Sequence, residues 1–201
     1  MIAVIDYDAG NLFSVANALE SLGLDYTFTA DPAVIEKADG VILPGVGAFP
    51  DAMEKLSSRG LIPVLRKAAK EKPFLGICLG MQVLFEEGEE FTLTEGLGLL
   101  PGRVKAIEAP GLKIPHMGWN ELIFAKDCPL TAGLPENPYV YFVHSFCAAP
   151  QQENLVAYCQ YGQDVPALVW DGKYCYGAQF HPEKSGDVGL AILKNFAGLC
   201  R

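Results

Sequence analysis

The sequence has no run of Lys and Arg, no apolar stretch near the ~20 residues that cross a bilayer, no C-x-x-C pair and no two histidines three or four positions apart. Each absence removes a class of protein. With 15 basic against 24 acidic residues and a net charge of −9, a polyanion-binding surface is excluded and nucleic acid is not an expected partner. A membrane-spanning role goes with the missing apolar run. Met1-Ile2-Ala3-Val4-Ile5-Asp6 carries neither a basic region nor a long apolar segment, so neither a signal peptide nor a transit peptide is expected. Six cysteines without ligand spacing read as reduced thiols in a reducing compartment, which points to a cytoplasmic protein without a disulfide framework or a zinc site. Repeats, low-complexity tracts and linkers are missing too. Residues 1–201 are therefore expected to form a single globular domain, half hydrophobic and large enough for a substantial core.

What is present is alternation. Met1 to Tyr7 is a near-continuous apolar run, as in a buried strand, ended by the turn residues Asp8-Ala9-Gly10-Asn11. From Leu12 the apolar residues Val15, Ala16, Leu19 and Leu22 recur at helical spacing until Gly23 stops them. Tyr26 to Thr29 is β-rich, and Asp31-Pro32 supplies a cap and a first-turn proline for a helix through Ala38. Val41-Ile42-Leu43 predicts a third strand, ending in the loop Pro44-Gly45-Val46-Gly47. A helix with Phe49, Met53 and Leu56 on one face follows, closed by Gly60. Leu61 to Lys70 is helical again and leads to a fourth strand at Phe74 to Ile77.

Such alternation over the first 85 residues predicts an α/β fold: a mostly parallel, doubly wound, flavodoxin-like sheet with helices on both faces. Functional loops belong at the carboxyl ends of its strands. After Gly102 the texture turns to β, with strands expected at Arg103 to Glu108, Tyr139 to Cys147, Leu155 to Tyr161, Val165 to Trp170 and Lys173 to Phe180. Asp171-Gly172 between the last two is a hairpin signal. The second half thus adds antiparallel strands before a closing helix that carries Leu190, Leu193 and Ala197.

One stretch organises the chemistry. Phe74 to Ile77 runs as a strand into Cys78, and Leu79 to Phe85 are helix formers without a breaker after Gly80. A nucleophile at such an elbow sits in strained backbone geometry, and the residues two before and two after it must be small to let strand and helix approach. Gly76 and Gly80 occupy those places. The start of the following helix favours a thiolate, and the Leu79 N–H is placed to meet an oxyanion. If the third and fourth strands are neighbours, the N–H of Val46 or Gly47 supplies a second oxyanion donor. The same loop taken alone is an ordinary tight turn, and it lacks the lysine and Ser/Thr of a phosphate loop. Glu86, Glu87 and Glu89 read as a solvated helix end, with Glu90 left open.

A nucleophile needs a base. Of His116, His144 and His181, only His181 has a carboxylate two residues on, Glu183, where side chains of an extended segment share a side. That carboxylate can fix the imidazole tautomer and leave the other ring nitrogen to take the thiol proton. An isolated His-x-Glu is equally a structural salt bridge; the pair gains meaning beside Cys78.

Taken together, Pro44-Gly45-Val46-Gly47, Gly76-Ile77-Cys78-Leu79-Gly80-Met81-Gln82 and His181-Pro182-Glu183 resemble the class I, or triad, glutamine amidotransferases, in that family's order. Three further strings are similar to the family members that serve as glutaminase subunits of imidazole glycerol phosphate synthase: Pro115-His116-Met117-Gly118-Trp119-Asn120, Tyr141-Phe142-Val143-His144-Ser145 and Gln179-Phe180-His181-Pro182-Glu183-Lys184-Ser185. The resemblance implies hydrolysis of L-glutamine to glutamate and ammonia through a thioester on Cys78, with His181 and Glu183 completing the triad. It implies an oxyanion hole at Val46 and Leu79 and a glutamine site at Gly47, Gln82, Glu90, Ser145 and Phe146. It also implies a heterodimer with a (β/α)8-barrel cyclase subunit that takes up the ammonia, contacted through Asn11, Trp119, Tyr141 and Lys184. No metal and no cofactor are implied. For Trp119 a core position is an equally ordinary explanation.

Other readings stay open at this point: the glutaminase of pyridoxal phosphate or anthranilate synthesis, a cysteine peptidase or thiol hydrolase on the same scaffold, and a non-catalytic binding module. Ammonia release from glutamine, assayed with and without the barrel subunit, separates the first two from the reading above, and the last would tolerate Cys78→Ala without loss of its role.

Overall fold

The computed structural model describes residues 1–200. Its strands are β1 (Ile2–Ile5), β2 (Tyr26–Thr29), β3 (Gly40–Gly45), β4 (Phe74–Cys78), β5 (Phe85–Gly88), β6 (Thr94–Glu95), β7 (Leu100–Ala106), β8 (His116–Glu121), β9 (Ile123–Phe124), β10 (Tyr139–His144), β11 (Phe146–Pro150), β12 (Leu155–Gln160), β13 (Asp164–Trp170) and β14 (Cys175–Ala178). The helices are α1 (Leu12–Ser21), α2 (Pro32–Lys37), α3 (Phe49–Ser58), α4 (Ile62–Glu71), α5 (Leu79–Gln82) and α6 (Gly186–Leu199).

An eight-stranded sheet in the order β2-β1-β3-β4-β14-β13-β12-β9 forms the centre. β2, β1, β3, β4 and β14 run parallel, whereas β13, β12 and β9 extend the sheet with antiparallel pairs. The alternation of side chains along a strand divides the core in two. Ile2 and Val4 point into one layer with Val15 and Leu19 of α1 and Ile192, Leu193 and Phe196 of α6. Ala3 and Ile5 point into the other, with Ile35 of α2, Met53 and Leu56 of α3 and Leu65 of α4. Helices cover both faces, so these parallel strands are buried throughout: every residue of β1, β3, β4 and β14 lies in the core or at its edge, with Cys78 7% exposed at the end of β4.

The local signals act where the sequence places them. Asn11 caps α1 by accepting from the Ser14 N–H at 3.2 Å, and Asp31 caps α2 through Ala33 at 2.9 Å, each satisfying an N–H that the first helical turn cannot. Gly23 and Gly60 leave α1 and α3 at φ of +64° and +67°. Gly172, at φ of +87°, turns β13 back into β14.

Three expectations are corrected. The helix after Cys78 is one turn, Leu79–Gln82, and not a run to Phe85; Phe85, Glu86 and Glu87 belong to β5. The first half of the acidic run, Glu86 and Glu87, is therefore strand, and Arg103 on the neighbouring β7 pairs with Glu87 at 2.8 Å and with Glu89, just past the strand, at 3.1 Å. Tyr139 to Cys147 is two strands: the chain bends at Ser145, β10 pairs with β8, and β11 joins β7, β5 and β6 in a separate four-stranded sheet. Finally, Glu183 sits in a single 3-10 turn, Pro182–Lys184, that His181 caps, and neither residue lies on β14, which ends at Ala178.

Candidate active site

β3 and β4 are parallel neighbours, with Gly45 opposite Cys78. Val46 and Leu79 therefore leave adjacent strand ends together. Cys78 adopts φ of +55° and ψ of −112°, a conformation few non-glycine residues occupy. What holds the strain is close packing. A methyl on Gly76 would lie 2.5 Å from the Gly80 carbonyl oxygen, one on Gly80 would overlap the Leu43 carbonyl, and one on Gly45 would lie 2.7 Å from the Tyr7 hydroxyl. Tyr7, fully buried, donates that hydroxyl to the Pro44 carbonyl at 2.9 Å and so fixes the loop from behind.

A cavity of about 390 Å³ opens over these strand ends. It is lined by Val46, Gly47, Cys78, Leu79, Gln82, Glu90, Pro115, Val143, His144, Ser145, Phe146 and His181. Every residue expected in the triad, the oxyanion hole or the glutamine site is here except Glu183, which stands behind the histidine. The chain brings them in from five separate segments. Only the elbow residues are sequence neighbours of the sulfur.

His181 is held at the cavity wall by its backbone. Its N–H donates to the Tyr141 carbonyl at 2.9 Å, while the buried Ser185 hydroxyl donates to the His181 carbonyl at 2.6 Å and accepts from the Tyr141 N–H at 3.0 Å. The imidazole Nδ1 lies 2.7 Å from Glu183 Oε1, and both side chains are almost wholly shielded from water. Burial works against a charged imidazole, but the Cys78 sulfur and the Glu183 carboxylate outweigh it and push the His181 pKa up to about 10. Nε2 makes no hydrogen bond. The pair is thus electrostatically coupled to the sulfur without a well-aligned bond, the loosened arrangement common before substrate arrives. A one-turn helix has little dipole to offer, so the imidazolium is the positive charge beside Cys78.

The glutamine-site residues have their own supports. Gln82 donates its amide to the Phe146 carbonyl and to Gln179 Oε1, both at 3.0 Å. Glu90 lines the cavity and accepts the Phe49 N–H at 2.8 Å, which ties its loop to the start of α3. The expected partner-facing residues lie on the surface away from the triad's interior. Trp119 is 57% exposed, against the alternative of a core position, and stands edge-on to Tyr141 across the β8–β10 ladder, ring centres 6.1 Å apart. Lys184 is exposed, and Asn11 is partly so.

Gln179 and Ser185 carry no signal of their own in the sequence. Gln179 is wholly buried, bonded to Gln82 and placed with Nε2 3.8 Å from Cys78 Sγ. Both residues stand in the string Gln179 to Ser185 that carries the resemblance, without a role of their own there. Among the described residues no His, Cys, Asp and Glu cluster could hold a metal ion. Nor is any helix there long and apolar enough to cross a membrane.

A family model described as "Glutamine amidotransferase class-I" matches residues 3–198. The chain is 51% identical over 200 residues to the imidazole glycerol phosphate synthase subunit HisH of Bacillus cereus, covering 99% of this chain and 95% of the relative. It is 50% identical over 198 residues to the protein of the same name from Listeria monocytogenes, covering 98% and 94%. A solved structure described as a glutamine amidotransferase superposes with a TM-score of 0.76 over 98% of this chain and 100% of that one, at 22% identity, which speaks to the fold alone.

Proposed function

Since the chain belongs to the class I glutamine amidotransferases, we propose that it works as the glutaminase subunit of an imidazole glycerol phosphate synthase, as a single amidotransferase domain, with Cys78, His181 and Glu183 as its triad. It is an enzyme subunit of histidine biosynthesis. The observation that carries the assignment of residues is the convergence of distant segments on one cavity around a strained cysteine and a buried His–Glu pair.

The chemistry follows from the charges. The Cys78 sulfur attacks the side-chain carbonyl carbon of glutamine, and the C=O electron pair moves to oxygen. The N–H groups of Val46 and Leu79, leaving β3 and β4 side by side, receive that oxyanion. As the C–N bond breaks, imidazolium His181 gives its Nε2 proton to the leaving nitrogen, so ammonia departs and a γ-glutamyl thioester remains. Neutral His181 then takes a proton from water, whose oxygen attacks the thioester; glutamate leaves and the starting state returns. Glu183 keeps Nδ1–H oriented throughout. Gly47, Gln82, Glu90, Ser145 and Phe146 hold the substrate, and no metal or cofactor enters the cycle.

Ammonia released into bulk water would protonate and be lost, so a partner must cover the site. We assign that role to the (β/α)8-barrel cyclase subunit in a heterodimer, docked on the face that carries Asn11, Trp119, Tyr141 and Lys184. The complex is assigned to the cytoplasm, where six free thiols persist. The test is substitution of one nitrogen source for another. With the cyclase subunit and its ribonucleotide present, glutamine should replace ammonium salt; cyclisation that proceeds with ammonium only would overturn the proposal.

A further inference from the structure

The triad leaves two buried imidazoles unused. His116 on β8 and His144 at the end of β10 are 2% and 6% exposed and face each other across the ladder, with His116 Nδ1 3.0 Å from His144 Nε2. The direction of every bond in the chain they form is fixed from its ends. The Phe146 carbonyl can only accept, so His144 Nδ1, 2.8 Å away, carries a hydrogen. Burial pulls both rings down to about 4, so each is neutral and carries one hydrogen. His144 Nε2 is then bare and accepts from His116 Nδ1. His116 Nε2 is bare in turn, and Asn120 Nδ2 donates to it at 3.3 Å. Asn120 cannot reverse: its oxygen accepts the Glu121 N–H at 2.8 Å, and its nitrogen also donates to the Gln160 carbonyl at 3.0 Å.

The far end of this chain is the substrate cavity. The Phe146 carbonyl that accepts from His144 also accepts from Gln82, whose second amide hydrogen goes to Gln179. Both Gln82 donors are consumed inside the protein. Its oxygen is left as the group it can offer to the cavity it lines.

We propose that His116 and His144 are positioning residues for the glutamine site, a neutral imidazole tandem of fixed bond direction that holds the Phe146 carbonyl and thereby aims the Gln82 oxygen at an N–H donor of the substrate. A proton added to His144 would set two donors against each other 3.0 Å apart, so the arrangement exists only while both rings are neutral. The titratable groups that face the tandem are few. Tyr161 stacks on His116 with ring centres 4.0 Å apart, His181 lies close enough to oppose charge on His144, and Cys78 and Glu90 line the same cavity. His116 does not line the cavity, and its hydrogen bond toward the site is the one to His144.

Two measurements test this, and only the second rests on the glutaminase reading. Long-range ¹H–¹⁵N spectra of the full-length protein should show both rings as Nδ1–H tautomers that do not titrate between about pH 5.5 and 8. An Nε2–H tautomer at either ring, or a titration midpoint above about 6, would overturn the proposal. In the complex with the cyclase subunit, His116→Phe should raise the KM for glutamine roughly ten-fold, the effect of one buried acceptor left unpaired, with kcat within about three-fold of wild type. Alkylation of Cys78 by iodoacetamide, which has no amino-acid group to be positioned, should keep its rate. His116→Gln offers an amide N–H for His144 Nε2 and an oxygen for Asn120 and should restore the KM. An unchanged KM in His116→Phe, or a raised KM accompanied by slowed alkylation that His116→Gln fails to rescue, would sink the idea.

Discussion

Replacing Glu183 by glutamine removes the charge behind His181 while the volume is kept. The carboxylate oxygen lies 2.7 Å from Nδ1 with both side chains at 3% exposure or less, so solvent screens the pair very little. A charge-assisted hydrogen bond in such a place is worth roughly 1.5–3 kcal/mol, which is about 10- to 150-fold in rate if the imidazolium forms only partly in the variant. The amide must turn its oxygen toward Nδ1–H. Its NH₂ then falls where Glu183 Oε2 now stands, buried and without a protein partner, which adds a folding cost of about 1–3 kcal/mol.

The sign of the pH effect is set by the raised value. A histidine whose pKa rises from 6.5 unfolded to about 10 folded contributes stability that is complete below about 6.5 and is lost as pH climbs through 10. In Glu183→Gln one of the two groups that raise it is gone, so the His181 midpoint should fall and the alkaline edge of stability should move down with it. The assays are ¹⁵N titration of His181, ammonia release in the complex with the cyclase subunit, and urea unfolding at pH 7 and 9. An unmoved His181 midpoint with kcat/KM within two-fold of wild type would refute the reasoning.

Gly80→Ala drives a methyl into the Leu43 carbonyl, a backbone atom that cannot swing aside; unfolding should be easier by roughly 1–3 kcal/mol and kcat should drop about 100-fold as the elbow shifts, seen by urea titration and ammonia release. Tyr7→Phe removes the hydroxyl that holds the Pro44 carbonyl and should cost about 0.5–1.5 kcal/mol in the same titration. Trp119→Ala, at a side chain 57% exposed, should change stability by less than about 0.5 kcal/mol yet weaken binding to the cyclase subunit ten-fold or more, as a calorimetric titration would record.

The chain up to Cys78 was legible because every signal there is local. Asp31 before Pro32, Gly23, Gly60 and the buried runs at 2–5 and 41–43 act within a turn or a strand of themselves, and the elements fall within a residue or two of their expected bounds. The elbow was legible for a different reason: two glycines flanking a cysteine answer a steric demand that the contacts at Leu43 and Gly80 make explicit. What the sequence hid depends on distant partners. Phe85-Glu86-Glu87 has acidic, helix-tolerant composition, and it becomes a strand because β7, with Arg103, lies beside it. Nothing in Tyr139 to Cys147 announces that Ser145 divides it between two sheets. His116-Met117-Gly118-Trp119-Asn120 shows no strand alternation of apolar residues, since one face of β8 carries a buried histidine and the other an exposed tryptophan. The Gln82–Gln179 bond spans 97 positions. No spacing argument reaches that far.

The central claim is that the Cys78 sulfur forms the covalent intermediate. Acid quenching of the complex during turnover with carbon-labelled glutamine, followed by peptide mass spectrometry, tests it most directly. A labelled γ-glutamyl group on the peptide that contains Cys78, missing along with ammonia release in Cys78→Ala, is the predicted result. Ammonia released at the full rate by Cys78→Ala would contradict it.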